Sequence, residues 1–274
     1  MTTDRRAHLI TGGFPPGSPA GHDMNDARLQ LLQKLQTEDG PAVTVANDFN
    51  DIERWLPGTD LLVTYVAGPF PTGAGNEAVS NWLTDGGRWL ALHGTSGGKA
   101  VKTERDSLAV KQMVKGDHHR TLGCFFLNHP PICEFPVAVV GDHPVTRGLP
   151  ARFTVRDELY LIELQDPAAS RILLTTELAA DPSPPGFGFV YEADTALQPD
   201  GKTRVLGYAR HLGKGEVVYL GLGHCHTGRI GNRSPVDSSI DPAGRMPPEF
   251  HDVWETDAFA RLLRNAIAWG LGGG

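Results

Sequence analysis

The chain has 274 residues, 40% of them apolar, which is enough to bury a substantial core as one large unit. Its charges nearly balance, 25 Lys and Arg against 32 Asp and Glu, and the net charge of -7 opposes nonspecific attraction to nucleic acid or anionic lipid. No apolar run approaches the roughly 20 residues that a bilayer span needs, so the expected partner is a small molecule, with no nucleic acid and no membrane.

Met1 to Arg6 run straight into a strand-like stretch, which leads to the expectation of a soluble, cytoplasmic chain without a signal peptide. Cys124, Cys133 and Cys225 form no CxxC pair, which argues against a disulfide framework and a thiolate zinc knuckle.

In chain order, His8 to Phe14 predicts a strand that ends in the loop Phe14-Pro15-Pro16-Gly17. Met24, Ala27, Leu31 and Leu35 recur at helical spacing between Asp23 and Thr37. Val43 to Phe49 predicts a strand, Asn50 or Asp51 caps a short helix through Trp55, and the apolar run Asp60 to Ala67 predicts a strand covered on both faces. A helix from about Asn76 to Thr84 leads into a strand at Arg88 to Leu92. This alternation predicts a parallel sheet with crossover helices on both faces.

Further on, Val137 to Val140, Phe153 to Leu164 and Arg171 to Thr176 read as strands, and Asp181 to Gly186 as a loop. Arg204 to Arg210 and Glu216 to Leu222 read as an antiparallel hairpin turning at Gly213-Lys214-Gly215. Thr227 to Glu249 is too long for an ordinary connection and reads as a lid or binding loop. Thr256 or Asp257 opens a last helix with Phe259, Leu262, Leu263, Ala266 and Ile267 on its apolar face. No linker divides the chain, so residues 1-274 are expected to form a single domain.

Ligands of an open parallel sheet collect at the carboxyl ends of its strands. That rule selects Gly12-Gly13-Phe14, Ala67-Gly68-Pro69, His93 to Gly98 and Gly223 to His226. His93 stands where an α/β enzyme often presents a nucleophile, and its imidazole there would act as a base or a metal ligand; the plain alternative is a hydrogen bond to a neighbouring loop. Gly94-Thr95-Ser96-Gly97-Gly98 lacks the spacing of a serine nucleophile elbow, and no Walker pattern is present, so no nucleotide cofactor is expected.

His224 and His226 alternate in an extended stretch and would point to opposite faces, with His224 toward the site. Of Asp157 and Glu158, one is expected to face outward; Glu158 suits a general acid or base, or a partner orienting an imidazole, the alternative being a salt bridge to Arg156 or Arg152. His129 precedes Pro130 and can approach the crevice. His143, before Pro144, reads as structural, and His118-His119 as a solvated loop, the alternative being that these adjacent imidazoles contribute one ligand to a metal.

Several segments in this order resemble the ThuA-like (trehalose-utilisation) family: Gly86 to His93, Asn128-His129-Pro130, Asp142 to Pro150, Asp157-Glu158-Leu159-Tyr160, Gly213 to Tyr219, Gly223-His224, and Trp254 with Phe259 to Trp269. The resemblance implies an α/β, flavodoxin-like fold of the class I glutamine amidotransferase type, with a mostly parallel sheet, helices on both faces and an antiparallel hairpin near the C-terminus. It places His93 where those relatives carry a catalytic cysteine, so glutaminase activity is not expected, and it makes His224 similar to their late histidine.

It also implies carbohydrate metabolism: an isomerase, epimerase or lyase acting on a disaccharide or keto-glycoside. The implied catalytic residues are His93, Glu158 and His224. A divalent metal such as zinc would be held by His93, His129 and His224, and Gly13, Phe14, Thr95, His129 and Trp254 would bind substrate, whereas Trp82 and Trp89 read as core. A noncatalytic carbohydrate-binding protein is the alternative, with a second copy of the chain or a sugar dehydrogenase as the protein partners. The long loop, with Arg229, Arg233 and Arg245, would shape the choice of sugar.

Overall fold

A computed structural model describes residues 5–13, 21–105, 108–228 and 235–273. In chain order the first elements are β1 (Arg6–Gly13), α1 (Met24–Leu35), β2 (Ala42–Ala46), α2 (Ile52–Trp55), β3 (Leu61–Ala67), α3 (Gly73–Thr84) and β4 (Arg88–Leu92). The middle holds β5 (Lys99–Arg105), β6 (Leu108–Val114), α4 (His118–Leu122), β7 (Cys124–Asn128), β8 (Cys133–Val139), β9 (Arg152–Asp157) and β10 (Leu161–Leu164). The last are β11 (Ser170–Glu177), β12 (Thr203–Leu212), β13 (Gly215–Leu220) and α5 (Asp257–Gly270).

The main sheet has the order β2-β1-β3-β4-β13-β12-β11-β8-β9. From β2 to β13 neighbours run parallel, and from β13 to β9 they run antiparallel. The expected α/β class with a parallel sheet is therefore present, and β11, β8 and β9 extend the antiparallel hairpin β12–β13.

Local chemistry accounts for these elements. Asp23 caps α1 by accepting from the N–H groups of Asn25 and Asp26, and the Thr256 hydroxyl caps α5 by accepting from Phe259. The buried faces of α1 (Ala27, Leu31, Leu35) and α5 (Phe259, Leu262, Ala266) share one core with Leu9, Val63 and Leu90 of the sheet. Ile52 of α2 and Val79 and Leu83 of α3 share a second core with Ile10, Leu62 and Trp89. Successive strand residues thus feed two layers, which is why β1 and β3 read as nearly unbroken apolar runs. The tight β12–β13 turn needs glycine: φ is 64° at Gly213, and a Cβ there would lie 2.6 Å from the Thr84 backbone.

Three expectations need correction. Phe153 to Leu164 is not one strand: β9 lies at the edge of the main sheet, whereas β10 pairs with β7 in a separate ribbon. Asp157 draws the chain out of the ladder by accepting the N–H groups of Glu158, Gly223 and His224. The second strand stops at Ala46, short of Phe49, and the Asp48 carboxylate accepts from the Asn50 N–H in a local turn just beyond. His118 and His119 open α4 and are buried, not on a solvated loop.

The described part of the long segment packs on the protein. Val236 and Phe250 bury against Ile132, and the Asp237 N–H donates to the Ile132 carbonyl at 2.9 Å. Arg245 pairs with Asp241, while Arg229 and Arg233 lie outside the described residues. Among the described residues no helix is long and apolar enough to cross a membrane.

Candidate functional site

Four chain segments meet at the carboxyl end of the parallel strands. Directly after β4, His93 opens a 3-10 turn, His93–Ser96, with φ at 43°. The turn is held from several sides. The Tyr219 hydroxyl donates to the His93 carbonyl at 2.9 Å, the Thr95 hydroxyl to the Thr64 carbonyl at 3.1 Å, and Nε2 of His118 and of His119 to the Gly97 carbonyl at 3.1 and 3.0 Å. A Cβ at Gly94 would lie 2.6 Å from the Val66 carbonyl oxygen, so the turn presses against β3.

After β13, the chain at Gly223 and His224 is fixed by the Asp157 carboxylate, which accepts both N–H groups at 2.8 Å. Tyr65 and Trp254 donate to the Gly223 carbonyl at 2.8 and 2.9 Å. Glu158 follows β9, and His22 immediately precedes the cap of α1, where the Asp23 N–H donates to the Cys225 carbonyl at 2.7 Å.

Three of the side chains converge on one oxygen of the fourth, Glu158. Oε2 of Glu158 lies 3.1 Å from His224 Nδ1, 3.3 Å from His93 Nε2 and 3.8 Å from His22 Nε2. Its other oxygen, Oε1, lies 3.5 Å from His129 Nε2. Both members of the Asp157-Glu158 pair are buried, at 0% and 5% exposure, which corrects the expectation that one faces outward. Strand alternation ends at Asp157, so it does not govern Glu158. The alternative ion pair does not form either: Arg156 pairs with Glu134 and Asp252.

Hydrogen bonds fix the state of two rings. His93 Nδ1 lies 2.7 Å from the Gly221 carbonyl, which only accepts, so Nδ1 carries the proton and Nε2 is bare in the neutral ring. His224 Nε2 contacts His226 Nδ1 at 2.9 Å, and neither His93 Nε2 nor His224 Nδ1 has a hydrogen-bond partner. Burial pushes the His93 imidazole down to about 4 and that of His224 down to about 3, against the opposing pull of Glu158. Burial alone would raise the Glu158 carboxyl, but the groups around it, led by His129 at its other oxygen, hold it well below the usual carboxylate range.

Two ring nitrogens without hydrogen-bond partners thus lie beside a buried carboxylate oxygen, an arrangement that a cation among them would satisfy. The donor atoms of His22, His93, Glu158 and His224 all lie within 4.8 Å of one another. A tetrahedral zinc ion with bonds of about 2.1 Å keeps its donors about 3.4 Å apart. The three separations that involve Oε2, 3.1, 3.3 and 3.8 Å, lie within about half an ångström of that spacing, and the nitrogen and oxygen donor set suits zinc.

The other sequence candidates fall in different places. His129 is partly exposed and reaches the outer oxygen of Glu158, but it is not one of the four residues whose atoms can share an ion. Its Nδ1 donates to the Pro130 carbonyl at 2.8 Å. Gly13 ends β1, and Thr95 is buried with its hydroxyl committed to Thr64. Trp254 is 5% exposed and packs against Tyr65 and Phe259. Phe14 lies outside the described residues. His143 caps a 3-10 turn, with Nδ1 accepting from the Val145 N–H, and lies 3.5 Å from Glu216. Burial raises the thiols of Cys124, Cys133 and Cys225 to about 12, and none stands at the position of His93.

His22 was not singled out from the sequence. The available signal was its place beside Asp23, the capping residue of the first helix after β1, because such a helix start faces the same crevice.

The comparisons agree with this architecture. A ThuA-like protein from Bacteroides uniformis superimposes with a TM-score of 0.62 at 17% identity, covering 98% of this chain and 92% of that one. Another from Parabacteroides merdae gives 0.57 at 17% identity, covering 98% and 90%. A beta-galactosidase from Rahnella sp. R3 gives 0.52 at 17% identity over 80% of this chain but only 28% of its own. No curated protein matches the chain in sequence. The family described as ThuA, trehalose utilisation, matches residues 17–229. With that match over most of its length, the chain belongs to the ThuA family.

Proposed function

We propose that this chain is an enzyme acting on a disaccharide or keto-glycoside by proton transfer beside a carbonyl, with a divalent cation, zinc by donor chemistry, held by His22, His93, Glu158 and His224. The observation that carries the reading is the pair of buried imidazole nitrogens without hydrogen-bond partners, His93 Nε2 and His224 Nδ1, beside a buried carboxylate oxygen. The substrate class is supported by the family description, trehalose utilisation.

A bound cation there would act as a Lewis acid toward a carbonyl or hydroxyl oxygen of the sugar. His129 carries the proton: its Nδ1 is tied to Pro130, its Nε2 lies 3.5 Å from Glu158 Oε1, and it is the more exposed ring beside that carboxylate. Protonated, Nε2 donates to Glu158 or to a leaving oxygen; deprotonated, it accepts a proton from the carbon beside a carbonyl. Tyr160, stacked on His93 at 4.0 Å, keeps that ring dry and fixed.

The test is elemental mass spectrometry of untagged wild type, His93→Ala and His224→Ala, each supplied with zinc and passed through a desalting column, followed by turnover assays on 3-keto-disaccharides. Near-stoichiometric zinc in wild type, lost in both variants together with turnover, is the expected result. Wild type that retains no zinc would sink the ligand assignment. Zinc without turnover would favour a binding protein.

A further inference from the structure

Behind His224 runs a chain of hydrogen bonds that ends on a group able only to accept. His226 Nε2 lies 2.9 Å from the Pro247 carbonyl oxygen, so in the neutral ring Nε2 carries the proton and Nδ1 is left as a lone pair. That lone pair sits 2.9 Å from His224 Nε2, which must therefore be the protonated nitrogen of His224. The remaining nitrogen of His224, Nδ1, is then bare, and it is the atom 3.1 Å from Glu158 Oε2. The Gly221 carbonyl does the same for His93 in one step.

His226 is itself held in place by the 235–250 segment. Its backbone N–H and carbonyl pair with those of Phe250, both at 2.9 Å, and the two rings stack at 5.8 Å with 13° between their planes. Phe250 is buried with Val236 and Ile132. The acceptor Pro247 lies in the same segment, so one piece of chain supplies both the packing and the final carbonyl.

We propose that His226 is a positioning residue: through its Pro247 bond it fixes the proton of His224 on Nε2 and turns the His224 Nδ1 lone pair into the site, so that the 235–250 segment sets the site's readiness to bind a cation. The cation part rests on the function proposed above; the tautomer part stands on the hydrogen-bond chain alone. Removing such an orienting partner weakens metal binding roughly tenfold to a hundredfold in comparable sites.

The experiment uses the full-length, metal-free protein with 15N-labelled histidine, read by long-range proton–nitrogen correlation of the imidazoles, and then titration with Zn2+. Wild type is expected to show His224 and His226 both protonated at Nε2 and bare at Nδ1. In His226→Leu the single tautomer of His224 is lost, and zinc affinity falls by roughly tenfold or more. In His226→Asn the amide oxygen occupies the place of Nδ1, restoring the His224 tautomer and most of the affinity.

The proposal is overturned if wild type carries the His224 proton on Nδ1, or if His226→Leu folds and leaves the His224 tautomer unchanged. Should the leucine variant fail to fold, the wild-type and asparagine spectra decide. Failure of wild type to bind zinc refutes the metal reading alone, because the tautomers are measured without metal.

Discussion

Glu158 is the residue on which the site's chemistry turns. Its Oε2 lies beside His93 Nε2 and His224 Nδ1 with a hydrogen bond to neither, so without a cation both nitrogens are unsatisfied. Glu158→Gln replaces that oxygen with an NH2 group able to donate to both rings. The expected outcome is a protein whose stability no longer rises on adding zinc. Wild type, in contrast, should gain about 2.7 kcal/mol at zinc a hundredfold above Kd. Thermal unfolding of both proteins, with and without Zn2+, reads the four values. His93, Glu158 and His224 were legible in the sequence because two of them end parallel strands and the third lies in a motif shared with a family. The alignment of His22 and the role of His226 were not, because each depends on a partner more than twenty residues away in the chain, Glu158 for one and Pro247 for the other.

At the scale of elements, α1 joins local propensity to the site. Asp23 caps it through two N–H groups, and the residue before the cap is His22. Asp23→Ala is expected to cost about 1 kcal/mol of stability. It should also weaken zinc binding by loosening the backbone at His22, while Asp23→Asn, which still accepts, restores both; urea unfolding and zinc titration check the pair. The parallel half of the sheet could be read from the sequence because its strands alternate with helices whose apolar spacing is local. The region from β5 to β10 could not. β7 and β10 pair with each other outside the main sheet, and β8, which carries β9 on its far side, attaches to β11 across a long separation in sequence, so the pairing that defines them leaves little periodic trace.

For the molecule as a whole, buried histidines make stability depend on pH. Burial holds His118 down to about 3, with His119 adding to the effect, and His8 down to about 4. Unfolding returns each ring to water, where it takes up a proton near pH 6.5. A base whose folded pKa is lowered is bound to fewer protons in the native state, so its contribution is complete above pH 6.5 and declines as pH falls toward its folded value. Metal-free protein should therefore lose stability between pH 6.5 and about pH 4, each ring contributing up to about 1.4 kcal/mol per pH unit. Urea unfolding from pH 7 to pH 5 tests this, and His118→Gln, which keeps a donor for the Gly97 carbonyl, should flatten the slope by about one proton.

The left-handed backbone at His93 has a further consequence for the whole chain. A side chain with a Cβ in that conformation stores about 1–2 kcal/mol of local strain, which glycine would release. Glycine would also delete the imidazole. Stability and chemistry therefore compete for the same position, and the rest of the fold, chiefly the two cores on either side of the sheet, must carry a reserve large enough to hold that turn in its strained form.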